Sequence, residues 1–199
     1  MIKLYVGIIM ILLLAGCSTT NPSVTEYRLS VKALDYKSSS NGCEDKSIKV
    51  SQAFSSNSLM EVRMSYVQDE QKIYSYSQAQ WNNSPNQEIS SQIAKALRDS
   101  KLFKNTQTSK SRSNSDLILE ANIEDFMQYF TQDSTKSYVK VMISFTLIDS
   151  KTSEVIATKT FNAKRNVTSL DALGGVKALD AALHDVLEQG ILFLNEVCL

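Results

Sequence analysis

The chain has 199 residues with 21 Lys or Arg against 21 Asp or Glu, one histidine, six glycines and two prolines. That balance lacks the basic surplus of a nucleic-acid partner, and so little glycine and proline excludes collagen-like or low-complexity character. No internal repeat is present, and the length suits one domain with a real hydrophobic core.

In chain order, the first feature is a short apolar run. Lys3 supplies a positive start, Leu4 to Leu14 an apolar stretch, and Leu14-Ala15-Gly16-Cys17 a lipobox. The stretch is about 17 Å long as a helix, too short for a bilayer core of about 30 Å. Residues 1–16 therefore read as a lipoprotein signal peptide, with cleavage before Cys17 and acylation of its thiol. Ser18 follows, where Asp commonly retains a bacterial lipoprotein in the inner membrane, so the expected destination is the outer membrane, facing the periplasm. Residues 17–25 are the lipidated cysteine and a polar tether, and 26–199 the folded domain.

Tyr27 to Val31 alternates apolar and polar residues and predicts a first strand. Residues 35–46 contain the loop signal Ser38-Ser39-Ser40-Asn41-Gly42. Strands are expected at Ile48–Ser51, Leu59–Tyr66 and Lys72–Tyr76, with Asp69-Glu70-Gln71 as a hairpin turn. Ser84-Pro85-Asn86-Gln87 predicts a helix start with a capping box, and Ile89, Ile93, Ala96 and Leu97 share one face up to about Leu102. Residues 104–115, rich in Lys, Ser, Thr and Asn, read as a mobile loop. Strands follow at Asp116–Phe126, Ser137–Ile148 and Glu154–Phe161, and strict alternation from Val139 to Leu147 marks one buried face. A final helix starts at Asp171, with an apolar stripe from Val176 to Leu194. The fold class is α+β: a mainly antiparallel or mixed sheet of six or seven strands with two amphipathic helices on one face.

Little in the chain suggests catalysis. His184 lies on the final helix away from its apolar stripe, no Cys/His cluster has zinc spacing, and neither a nucleophile elbow nor a phosphate loop occurs. Glu124 and Asp125 are neighbours on a strand and point to opposite faces, so they form no acid/base pair. The expectation is a non-enzyme without metal or cofactor. With Cys17 acylated, Cys43 and Cys198 remain as an even pair in an oxidising compartment and are expected to form a disulfide. Tyr74 and Tyr76 project to one strand face at period two. With Tyr66 and Trp81 they make an aromatic cluster that reads either as packing or as an interface, and Tyr74, Tyr76 and Trp81 are the candidate interface residues.

The segment Lys72-Ile73-Tyr74-Ser75-Tyr76-Ser77, then Gln80-Trp81-Asn82-Asn83-Ser84-Pro85, resembles the strand-to-helix junction of ABC-type transport auxiliary lipoproteins, the PqiC-like partners of MCE lipid-transport systems. The hairpin through Phe145-Thr146-Leu147-Ile148-Asp149 and Val155-Ile156-Ala157 is similar too, as are Gly175 to Leu183, the Tyr27-Arg28-Leu29 start and the lipobox. Gln80 departs from the Arg frequent before the Trp, and the polar insert 104–115 carries no family signature. The resemblance implies a non-enzymatic envelope component that works with an MCE-domain protein, an inner-membrane permease and an ATPase, with homo-oligomerisation into a ring by analogy. The alternative from a different class is a regulatory or structural envelope lipoprotein, for example an activator of peptidoglycan synthesis.

Overall fold

A computed structural model describes residues 22–34 and 42–198. The signal segment, Cys17, Ser18 and most of the 35–46 loop lie outside the described residues. The elements are β1 (Thr25–Tyr27), β2 (Ser47–Val50), β3 (Phe54–Ser55), β4 (Arg63–Gln68), β5 (Lys72–Trp81), α1 (Pro85–Ser100), β6 (Asn105–Thr108), β7 (Leu117–Phe130), β8 (Ser137–Asp149), β9 (Val155–Asn166) and α2 (Ala172–Val197).

β7 is the spine of the sheet. Along one edge it pairs antiparallel with β8 over its whole length, and β8 pairs in turn with β9. Its other edge is shared by three short parallel strands: β2 at Ile118, β3 at Asn122 and β4 at Tyr129. The sheet therefore forks. One branch continues from β2 to β6, the other from β4 through antiparallel β5 to β1, which runs parallel to β5.

Alternation along β8 buries Val139, Val141, Ile143, Phe145 and Leu147, and β7 answers with Leu117, Leu119, Ala121 and Ile123. A bulge at Glu124 shifts the β7–β8 register between Ile123 and Asp125 and returns Phe126 to the same buried face. Both helices cover that face: α2 lies on β7, β8 and β9, α1 on β2 and β6, and the helices touch each other. Each buried Leu, Ile or Phe contributes about 1.5–3 kcal/mol. α2 approaches β8 so closely that a Cβ at Gly190 would overlap the Phe145 ring.

The sheet has nine strands where six or seven were expected. The unforeseen ones are β3, two residues long, and β6, inside the segment whose polar composition suggested a mobile loop. β6 is an edge strand with partly exposed side chains, so backbone pairing to β2 holds it and no apolar alternation is needed. The first strand is also shorter and earlier than expected. Leu29 and Val31 are buried as their alternation predicts, but the chain has left the sheet there and is held by the Ser30 N–H donating to Asp180 Oδ1 on α2 (2.9 Å). Alternation reported burial, not ladder pairing. α1 begins at Pro85 after Ser84, yet the Ser84 hydroxyl donates to Asn86 Oδ1 (2.8 Å) and caps no backbone N–H. The capping box is thus replaced by a side-chain pair. The helix ends at Ser100, two residues early, on Lys101 in the left-handed region (φ 55°). The tight turn at Asp69 and Glu70, both left-handed (φ 55° and 56°), is as the sequence predicts.

Cys43 and Cys198 form a disulfide across 155 residues, joining the segment before β2 to the end of α2. Two reactive thiols in the denatured, unreduced mature chain would refute the bridge; Cys198→Ser is expected to lower stability by about 2–4 kcal/mol in urea titration. A second expectation concerns Asp180. Burial raises its pKa, against the lowering effect of the Ser30 N–H. A carboxyl raised in the folded state opposes folding while ionised, and the penalty vanishes as pH falls through the folded and then the unfolded pKa. Asp180→Asn, which keeps an acceptor for Ser30, should therefore raise stability at neutral pH, with the gain disappearing in acid; a gain that is constant with pH would contradict this account.

Candidate functional site

Three connections meet at one end of the sheet: the β4–β5 turn, the β7–β8 turn at residues 131–136, and the segment 167–171 entering α2. Asp171 caps α2 there, accepting from Gly174 N–H (2.7 Å) and from the Ser169 hydroxyl (2.9 Å). These donors hold its carboxyl below the usual carboxylate range. In the first turn of α2, a Cβ at Gly175 would overlap Gln128 Oε1, so a larger residue there would have to push this buried amide aside.

Gln128 joins the helix to an aromatic group. It accepts from the Tyr76 hydroxyl (3.0 Å) and donates to the Ser137 hydroxyl (3.0 Å). Tyr66 lies at the centre, 4.8 Å from Tyr76, 5.7 Å from Tyr74 and 5.3 Å from Phe130 between ring centroids. Burial, then the neighbouring Tyr66 and Asp171, push the Tyr76 phenol far up, so it stays a neutral donor. α2 begins beside Gln128, and the sheet runs on past it to Phe130, leaving the outer part of this group uncovered. Tyr74 is 43% exposed, and Ile73, next to it at this end but on the opposite strand face, is 64% exposed.

The opposite sheet face carries a second pair at the same end. Tyr129 and Tyr138 stack at 5.1 Å with their rings nearly parallel, and Lys164 Nζ lies 3.6 Å from the Tyr138 centroid. The Tyr129 hydroxyl donates to Asp125 Oδ2 (2.7 Å), which also pairs with Lys140 Nζ (3.2 Å). Burial first, then Asp125, raises the Tyr129 phenol.

The structure brings Tyr74 and Tyr76 together and separates Trp81 from them. β5 pairs Ser75 with Ser65 but Gln80 with Arg63, and the extra residues in β5 flip its alternation. Trp81 is consequently 4% exposed and packs on Phe126, 6.0 Å away, which makes it a core residue rather than part of a surface. Phe130, Gln128, Tyr129 and Tyr138 were not singled out from sequence. Gln128 carried a readable signal, a polar residue in buried phase with Phe126. The enclosed cleft beneath Trp81 and Phe126 measures about 10 Å³, room for one water and no acyl chain. Among the described residues, no group of His, Cys, Asp and Glu is placed to hold a metal ion, and no helix is long and apolar enough to cross a membrane. His184 is half-buried on α2, beside the Asp185 carboxylate that receives a two-pronged bond from Arg165 of β9 (2.7 Å each).

The family model of the ABC-type transport auxiliary lipoprotein component matches residues 27–189. This chain belongs to that family. No curated protein matches it. Among solved structures, a crystal structure of a Xanthomonas campestris protein superposes with a TM-score of 0.77 at 16% identity, covering 87% of this chain and 96% of that one. A second, uncharacterized protein gives 0.66 at 12% identity, covering 86% and 99%. At these identities both establish a shared fold. Membership makes the chain a lipoprotein component of an ABC-type transport system, anchored in the cell envelope.

The two aromatic environments separate by stability. Trp81→Ala should cost about 3–5 kcal/mol, whereas Tyr74→Ala should cost about 1 kcal/mol or less; comparable losses in urea unfolding would place Tyr74 in the core as well.

Proposed function

We propose that this protein is the lipid-anchored auxiliary of an MCE-type phospholipid transport system, held in the outer membrane by acyl groups on Cys17 and facing the periplasm. The family match over residues 27–189 carries the reading. The lipobox eight residues before β1 supports the anchor. A thiol carrying several acyl chains is stably held, at about 0.8 kcal/mol for each buried methylene.

The role is docking, not lipid carriage within the domain. Phospholipid tails are costly in water, so a lipid crossing the periplasm needs a shielded route. The enclosed cleft of about 10 Å³ holds no acyl chain, and a larger surface cleft of about 410 Å³ is open to water and lined by Gln52, Asn83, Glu88, Ser91 and Lys110, a poor shield for lipid tails. The tail shield therefore belongs to the MCE-domain partner, and this chain secures that conduit at the receiving membrane. It acts without catalysis, cofactor or metal, and its contribution is position.

Two measurements test the reading. Crosslinking in intact membranes, followed by mass spectrometry, should recover an MCE-domain protein; recovery of a peptidoglycan synthase in its place would favour a regulatory lipoprotein. Cys17→Ser should shift the protein out of the membrane fraction and abolish the acyl mass increment; unchanged fractionation of the variant, or an unacylated mass for the unsubstituted chain, would end the anchoring claim.

A further inference from the structure

We infer that the sheet end bearing Ile73, Tyr74, Tyr66 and Phe130 rests on the headgroup surface of the membrane that holds the anchor. This deepens the proposed function and rests on acylation at Cys17. The first argument is direction. β1 pairs parallel to β5, Thr25 opposite Ala79, and β5 starts at the β4–β5 turn. The chain entering β1 therefore comes from the aromatic end, and Val24 shares a surface cleft with Tyr76 and Ser77.

The second argument is reach. Cys17 to Val24 spans about 24 Å when fully extended. From Ser77 back to Lys72, the start of β5, is about 17 Å of strand. An anchor at Cys17 thus arrives at the β4–β5 turn with little slack. The far end of the sheet, where Leu117 starts β7, lies about 30 Å the other way, nine residues of β7 back from the level of Ser77. Reaching it requires the tether to reverse direction first, which consumes the length it needs.

The surface chemistry fits a lipid layer. Ile73 and Tyr74 are exposed at this end, together with Leu170 (49%) and Leu173 (43%) at the start of α2. Tyrosine joins an apolar body to a polar tip and suits the boundary between headgroups and acyl chains. Charges at the two turns are mixed: Asp69 and Glu70 with Lys72, and Asp133 with Lys136. Lys72 also pairs with Asp69 at 3.4 Å. The end has no basic surplus to require anionic lipid, so the occupant is a zwitterionic phospholipid surface.

Fluorescence quenching tests this on the acylated full chain in phosphatidylcholine vesicles, with and without bromine on the acyl chains. Tyr74→Trp places a reporter at the aromatic end, and Ile156→Trp places one at the exposed start of β9, level with the far end of the sheet. Buried Trp81 gives both the same background. Brominated lipid should reduce the emission of Tyr74→Trp and leave that of Ile156→Trp unchanged, and raised salt should not abolish the difference. Flotation of the vesicles reads the anchor separately: protein left in solution overturns the anchor and this proposal with it. Protein that floats while Tyr74→Trp escapes quenching overturns the membrane contact alone. If that unquenched reporter is also shielded from aqueous iodide, a protein surface such as a second copy covers this end, and the lipid assignment fails.

Discussion

Everything in this molecule depends on one long strand serving two different edges. β7 gives β8 an unbroken antiparallel ladder and gives β2, β3 and β4 successive parallel stretches. Short strands of two to six residues gain little from their own packing; here they are stable because a fourteen-residue neighbour, already fixed by β8 and α2, offers them prepared backbone partners. Electrostatics reinforce the arrangement locally. Asp116, just before β7, accepts from both the N–H (2.9 Å) and the hydroxyl (2.7 Å) of Ser47 at the start of β2. The bulge at Glu124 is part of the same design, since it keeps Phe126 on the helix side while the strand changes neighbours.

The long helix converts this sheet into a polar object with two dissimilar ends. α2 begins beside Gln128, capped by Asp171, and ends at Cys198 in the disulfide to Cys43. At the first end the buried amide of Gln128 on β7, packed under the helix at Gly175, links β8 and Tyr76 of β5 through two hydrogen bonds, so the aromatic group is fixed relative to the core. Satisfying Gln128 on both sides matters because an unpaired buried amide costs about 1–3 kcal/mol. At the second end the cross-link holds a loop segment that sheet pairing does not reach. The two fastenings use different chemistry for one purpose, keeping α2 in register over its full length against β8 and β9.

The core and the long hairpin were legible in the sequence because both are periodic. Val139 to Leu147 alternates without a break, and the stripe from Val176 to Leu194 has helical spacing; each periodicity names a face directly. The failures came where backbone, not side chain, decides. β6 is polar because an edge strand needs no buried face, and Ser30 sits in an apparent strand that has swapped its ladder for an aspartate on α2. Trp81 was grouped with Tyr74 and Tyr76 by proximity in sequence, but extra residues in β5 break the count between them, and an irregularity in one strand of a pair leaves no trace in composition. The Cys43–Cys198 bridge was readable by parity alone once Cys17 was set aside for lipid.

In the membrane pose proposed above, orientation is what the aromatic end adds to an acylated thiol. Several acyl chains already hold a protein at a bilayer, so further affinity changes little; a tether of a few residues alone, however, leaves the domain free to tumble above the surface. A patch of tyrosine, isoleucine and leucine next to the tether, even if worth only a few kcal/mol, selects one pose because the anchor keeps its local concentration high. In that pose the strands stand away from the membrane. The fourteen residues of β7 lift the opposite end by about 45 Å. The surfaces carried there are β2, β6 and the Cys43–Cys198 seam, while the open face of β7 to β9 stands upright between the two ends. Under the proposed function, a conduit arriving from the inner membrane meets that outer end first. On that proposal, the geometry gives an auxiliary component a function that needs no pocket: it presents a rigid platform at a fixed height and angle above the layer that would receive the lipid.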